Sequence, residues 1–350
     1  MWRVRGVPAD FDNTKLADVL QRHPDLQFLN DMAANIPEER YNNGVVVNTL
    51  ASDLNLDQIA TVHFANLPTK LDSLERNNQL VVDIQVSPGS IQAGNKRKRD
   101  AQLTIDEHFD GLTVLSSPPN HEHQIDVLAI SGLGSHAFGS FVHKHDGNMW
   151  LADSLPWDIP GTRVMIYGYH SGLQQSSSFA HLGDYARSLQ VAISSLLQSE
   201  KKKPLVLVGH SLGGLLIKEA LIQIADSETV SDLINLISGL LFFGVPNDGL
   251  DIESLVPMVK DQPNRFLLES LDSKNSQMLS IQKRNFAKIL DRTDLEMFCF
   301  YETELSPTAI KVVVLWMMGL FPANIIAGSY HGAIQDGRPS PVSRELIICN

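Results

Sequence analysis

Two rhythms of apolar and polar positions divide the chain. Over the first 88 residues, WRVRGVP, GVVVNTLA, QIATVHFA and LVVDIQV have the short runs of strands, while NTKLADVLQR and TKLDSLERN space their apolar residues as amphipathic helices do. Asp12 or Asn13 stands where the first of these helices needs a cap. The predicted order is β-α-β-β-α-β. From residue 105 the rhythm changes to strand, glycine loop, helix. GLTVLSS, DVLAIS, RVMIYGY, PLVLVGH, GLLFFGVP and EMFCFYE are strand-like and mostly apolar on both faces, as strands inside a parallel sheet covered by helices must be. FAHLGDYARSLQVAISSLLQ and LGGLLIKEALIQIA carry the spacing of such covers. The pattern predicts an α/β class with a doubly wound, mostly parallel sheet over residues 105–350. A small α+β domain over 1–88 precedes it, and 89–104, rich in Pro, Gly, Ser and basic residues, is the expected connection.

The β-α-β-β-α-β order of residues 1–88 resembles the RNA-recognition-motif or ferredoxin-like fold. That resemblance implies aromatic side chains on the two central strands, on which bases stack. Placing the third-strand motif so that its last aromatic falls on Phe64 puts Ile59 and Thr61 at the stacking positions, and the first strand offers Arg3. Seven Lys and Arg stand against twelve Asp and Glu over these residues, a net of -5. An acidic face without rings is a poor platform for a polyanion, so nucleic acid is not expected as a partner and docking of a protein is the better expectation. KRKR at 96–99 fits a nuclear import signal, but a solvated connection is the plainer account of it.

The formal net charge of -12 on 350 residues argues against non-specific binding to nucleic acid or anionic membranes. Cys299 and Cys349 make no disulfide framework, and the start MWRVRGVPADFDN lacks the pattern of a secretory signal, so a cytoplasmic location is expected, with the nucleus or the periphery of an organelle membrane as alternatives. VVVLWMMGLFPANIIA at 312–327 is shorter than a membrane span and is interrupted by Gly319, Pro322 and Asn324. It reads as a buried strand and turn.

The chemistry centres on Gly209-His210-Ser211-Leu212-Gly213, a G-x-S-x-G run between a strand and a helix. A strand that turns into a helix within about two residues holds the serine in a strained conformation, and glycine is needed where neighbouring backbone comes close. Ser211 is the predicted nucleophile. Its oxyanion hole would comprise the N–H of Leu212 and that of Leu133, in the loop of DVLAISGLGSHAFGSF, where Gly132 and Gly134 let the backbone approach. The spacing of that loop is not G-x-G-x-x-G, which argues against a dinucleotide site.

DVLAISGLGSHAFGSF, MWLADSLPWDIPGTRVMIYGY, PLVLVGHSLGGLLIKEAL, GLLFFGVPNDG and FCFYET together resemble the lipase-like serine esterases of the α/β-hydrolase superfamily. The resemblance is to fungal members related to the GPI inositol-deacylase group, and it covers about residues 105–307. This chain departs from the family with Ser131-Gly132 in place of a His-Gly, and with Asn247 in place of a histidine. The superfamily's chain order of nucleophile, acid, histidine makes His331, the only histidine after Ser211, the expected base. The resemblance makes Glu302, at the end of the strand EMFCFYE, the expected acid, with Asp248 as the alternative. The tail after YETELSPTA departs from the family's usual histidine loop.

His121, His123, His143 and His145 form two His-x-His pairs, but both lie in polar loop sequence without cysteines, so no metal is expected. Trp150 and Trp157 fit core packing as readily as an acyl pocket. The reading is a serine esterase or lipase-like hydrolase with a Ser-Glu-His triad, needing no cofactor and acting on a small-molecule or lipid ester. The alternative is a catalytically silent hydrolase fold serving as an interaction module.

Overall fold

The computed structural model describes residues 1–26, 44–54, 57–75, 78–85, 101–143, 146–170, 172, 179–199, 202–252, 255–256, 259, 262–274 and 276–300. Their contacts gather into two compact units, Met1–Gln124 with Phe141–Gly168, and Ile125–Ser140 with the chain from Tyr169.

In the first unit β1 (Trp2–Val7), β2 (Val45–Ser52), β3 (Gln58–Phe64), β4 (Leu80–Ile84) and β5 (Ala101–Asp106) form one antiparallel sheet in the order β2-β3-β1-β5-β4. Helix α1 (Asn13–Arg22) is capped by Asp12, whose carboxylate accepts from the Lys15 N–H at 2.7 Å and satisfies a donor that the first turn leaves without an intrahelical partner. Leu16 and Leu20, one turn apart, share a face of α1 and are buried in a core with Trp2, Val4, Val62 and Ile105. Full burial of each such side chain contributes roughly 1.5–3 kcal/mol. A second helix, α2 (Thr69–Asp72), is a single turn.

Strand β5 revises the expected connection, because residues 101–104 belong to the sheet. Ala101, Leu103 and Ile105 alternate with polar Gln102, Thr104 and Asp106, a strand period that the neighbouring basic run obscured. Part of the sheet's other face is also covered. Strand β6 (Gly111–Ser116), paired antiparallel with β8 (Thr162–Gly168) in the same unit, packs against β2 and β3. Arg3, Ile59 and Thr61, the positions where a base-stacking platform would need rings, are 1%, 1% and 0% exposed. Arg3 donates to Asp106 Oδ2 from Nε at 3.1 Å and from Nη2 at 2.9 Å, and its Nη1 donates to Thr113 Oγ1 and the Asp110 carbonyl, each at 2.9 Å. Burial lowers the pKa of Arg3, and Asp106 opposes that shift.

The second unit carries β7 (Ile125–Ile130), β9 (Leu205–His210), β10 (Ile237–Phe243) and β11 (Glu296–Phe300), all parallel and ordered β7-β9-β10-β11. Short helices α3 (Trp150–Asp153) and α4 (Leu155–Asp158) belong to the first unit. In the second, where α7 (Arg265–Glu269) is also short, helix α6 (Leu212–Ala225) packs on β9 and touches both α5 (Leu182–Gln198) and α8 (Gln277–Leu290). Apolar residues occupy nearly every side of α6, so it is a core helix, whereas α5 and α8 each bury one stripe. Parallel strands buried under helices define the α/β class, and the first unit supplies the small α+β sheet. Among the described residues no helix is long and apolar enough to cross a membrane; the apolar stretch 312–327 lies outside them.

Candidate active site

Strand β9 delivers the site. Its apolar run keeps Leu205, Leu207 and Val208 buried and ends at His210, and α6 begins at Leu212. Ser211 alone makes the turn, at φ 55 and ψ -126. A non-glycine residue at positive φ costs on the order of 1–3 kcal/mol and persists only where its surroundings over-determine it. Here they do: the Ser211 N–H donates to the Phe243 carbonyl at 2.8 Å, and the Gly214 N–H donates to the Ser211 carbonyl at 3.0 Å.

The glycines are explained by what a methyl would strike. At Gly213 it would sit 2.3 Å from the Ile130 carbonyl oxygen and 2.7 Å from that of Ser131; at Gly209 it would sit 2.6 Å from the Gly214 Cα. Two further close approaches lie outside the G-x-S-x-G rule. A methyl on Gly214 would meet Val245 Cγ2 at 2.2 Å, and one on Gly132 would lie 2.8 Å from Ser211 Cβ and 3.0 Å from Ser211 Oγ. The loop after β7 therefore runs directly over the serine, and Ser211 is 1% exposed.

Leu212 opens α6, where a backbone N–H has no intrahelical acceptor and the helix dipole presents its positive end. Leu133 lies in the loop over Ser211, half-buried, one residue beyond Gly132. Glu302 and His331 lie outside the described residues. Asp248, the alternative acid, is 74% exposed and accepts from Lys283 Nζ at 3.0 Å. Trp150 packs edge-on against Phe141, while Trp157 is 84% exposed. His143 Nδ1 lies 2.8 Å from Asp146 Oδ1, His145 lies outside the described residues, and among the described residues no group of three or more His, Cys, Asp or Glu could hold a metal.

Sequence reasoning passed over two residues near the elbow. Lys218, two turns along α6, is buried and donates to Asn247 Oδ1, with the rings of Phe242 and Phe286 5.4 and 5.2 Å from its ammonium. Desolvation pushes its pKa down to about 8, Lys283 adds to the shift and Asp248 opposes it. Tyr169, directly after β8 in the chain, donates its hydroxyl to the Ser131 carbonyl at 3.0 Å. A lone lysine in an apolar helix pattern, LGGLLIKEALIQIA, was the available signal for the first; the second had none.

A strand, a strained serine and a helix, with glycine wherever backbone must touch, have the strand-turn-helix geometry that a nucleophile elbow requires. No family model matches the chain. It is similar to Protein SERAC1 of Danio rerio, 26% identical over 247 residues, a match covering 62% of this chain and 37% of that protein, and to Protein SERAC1 of Homo sapiens, 24% identical over 230 residues and covering 58% and 34%. The match thus spans little more than a third of the length of these curated relatives. Among solved structures, the mature lipase BlEst2 of Bacillus licheniformis aligns with a TM-score of 0.39 at 17% identity, covering 58% of this chain and 76% of that one. The phospholipase PlaB of Legionella pneumophila aligns with 0.37 at 14%, covering 50% and 37%.

Proposed function

We propose that the protein is a serine hydrolase that cleaves carboxylic esters through an acyl-enzyme. The observation that carries this reading is the strained backbone of Ser211 with Gly132 packed against its Oγ. Strain of that kind is maintained where a side chain must be held at one point, and the loop over it is where an oxyanion would be received. In this reading Ser211 Oγ attacks the ester carbonyl, and His331 takes the hydroxyl proton. The negative oxygen is met by the N–H groups of Leu212 and Leu133. His331 then returns the proton to the departing alcohol, and water repeats the sequence to release the acid. Glu302 orients the imidazole and stabilises its charged form.

The kinship to fungal lipase-like esterases and the GPI inositol-deacylase group, and a docking role for the N-terminal sheet, belong to the same reading. A fluorophosphonate probe tests it. Ser211 is labelled, Ser211→Ala abolishes the labelling, and His331→Ala and Glu302→Ala slow it strongly. Folded protein that never labels would sink the reading and leave a silent hydrolase fold acting as an interaction module.

A further inference from the structure

The loop over Ser211 has to satisfy two opposed demands. It must aim a backbone N–H at the developing oxyanion while keeping its carbonyl oxygens turned away, since a carbonyl facing the same point would repel the charge. Peptide planarity links the two, because the C=O and N–H of one peptide point in opposite directions. Whatever holds the Ser131 carbonyl therefore also aims the Gly132 N–H and sets the path of the backbone into Leu133.

The Ser131 carbonyl is held from two sides. It lies against the first turn of α6, where a methyl on Gly213 would be 2.7 Å from it, and it accepts the Tyr169 hydroxyl at 3.0 Å. Ser131 is 2% exposed, so without that hydroxyl its carbonyl would lose a hydrogen bond in a place water barely reaches. The tyrosine is itself steadied, its ring packed on that of Tyr185 in α5 with centroids 5.4 Å apart. The far end of the loop is tied as well: His136 Nδ1 accepts from the N–H groups of Phe138 and Gly139 at 3.2 and 3.0 Å, and the Ser140 hydroxyl donates to the His136 carbonyl at 2.7 Å.

We infer that Tyr169 is a positioning residue for the oxyanion-binding loop, holding the Ser131 peptide so that the segment 132–133 presents N–H rather than C=O to Ser211, with His136 closing the loop behind it. The inference rests on Ser211 being the nucleophile. It names a residue outside the triad whose contribution is geometric and falls on the transition state more than on substrate binding.

Tyr169→Phe removes one oxygen and leaves the ring against Tyr185. On a short-chain ester, kcat falls about tenfold, less than the loss of a whole oxyanion donor, while KM changes less than about twofold. The fluorophosphonate labelling rate falls in parallel. At the other end, His136→Ala slows labelling and His136→Asn, whose Oδ1 can still accept the two N–H groups, restores most of it. An unchanged kcat in Tyr169→Phe overturns the inference, as does a rise in KM alone. Amide hydrogen exchange over 131–134 separates this from failure of the wider reading. If wild-type Ser211 never labels, faster exchange in Tyr169→Phe sustains the hold on the loop while the hydrolase reading falls; unchanged exchange overturns the hold itself.

Discussion

Gly132→Ala probes the elbow most directly. The backbone φ of Gly132 lies outside the left-handed region, so alanine is allowed there and the only new element is its methyl group. That methyl would start 2.8 Å from Ser211 Cβ and 3.0 Å from Oγ. Carbon–carbon contacts settle near ~3.5–4.0 Å, so the overlap is roughly 0.7 Å and something must move. Ser211 cannot easily retreat, because its N–H is tied to the Phe243 carbonyl at 2.8 Å and the first turn of α6 abuts the carbonyls of Ile130 and Ser131. The loop can retreat only by straining the bond from Tyr169 to Ser131. Either way, Ser211 Oγ and the loop backbone proposed to receive the oxyanion separate by a sizeable fraction of an ångström. Misplacement on the order of 1 Å costs about 10²-fold in rate, whereas overpacking of this kind costs stability about 1–3 kcal/mol. The expected outcome is a fluorophosphonate labelling rate down by one to two orders of magnitude in a protein that still unfolds cooperatively in urea. Labelling at the wild-type rate would refute the argument, since the contact would then be relieved without cost to the site.

Arg3→Met leaves Asp106 charged and buried without its main partner and destabilises the first unit by about 3–5 kcal/mol in urea unfolding, with part recovered by adding Asp106→Asn; a loss below about 1 kcal/mol would contradict the buried pair. Lys218 has a folded-state pKa of about 8 against an ordinary 10.5, so above pH 8 the folded protein binds fewer protons than the unfolded chain and stability gains as pH rises. The unfolding free energy of the wild type, taken relative to Lys218→Met, therefore increases from pH 8 to 10.5 by up to roughly 3 kcal/mol, and parallel curves would show that Lys218 does not titrate in that window. Gly214→Ala sets a methyl 2.2 Å from Val245 Cγ2 and costs about 1–3 kcal/mol by thermal unfolding, with Val245→Ala in the same chain restoring part of the loss.

Local signals were legible wherever the cause lay within a few residues. LVLVGHSLGG placed strand, serine and helix, because an apolar run, glycines two residues either side of the serine and a helical spacing act on immediate neighbours. Asp12 capped α1 for the same reason. Residues 101–104 of strand β5 were read as connection because the strand's alternation is short and adjoins a basic run that dominates the local composition. The sequence carried no sign that β6 packs on part of the first sheet, or that Arg3 is buried against Asp106 and Thr113, residues 103 and 110 positions away.

By itself, then, the sequence determined the α/β class, the small α+β sheet before it, and a serine set between a strand and a helix. The resemblance also pointed to His331 as the expected base, through the superfamily's chain order, and to Glu302 as the expected acid with Asp248 as the alternative. Only tertiary structure decided which glycine touches the serine from across the site, that Tyr169 holds the Ser131 carbonyl, and that Lys218 lies between two rings with its ammonium on Asn247. The physical reason is range. Periodicity and turn chemistry act over three or four residues, whereas the contact of Gly132 with Ser211 joins segments nearly eighty residues apart, and it exists only once β7 and β9 have paired and α6 has packed down on them.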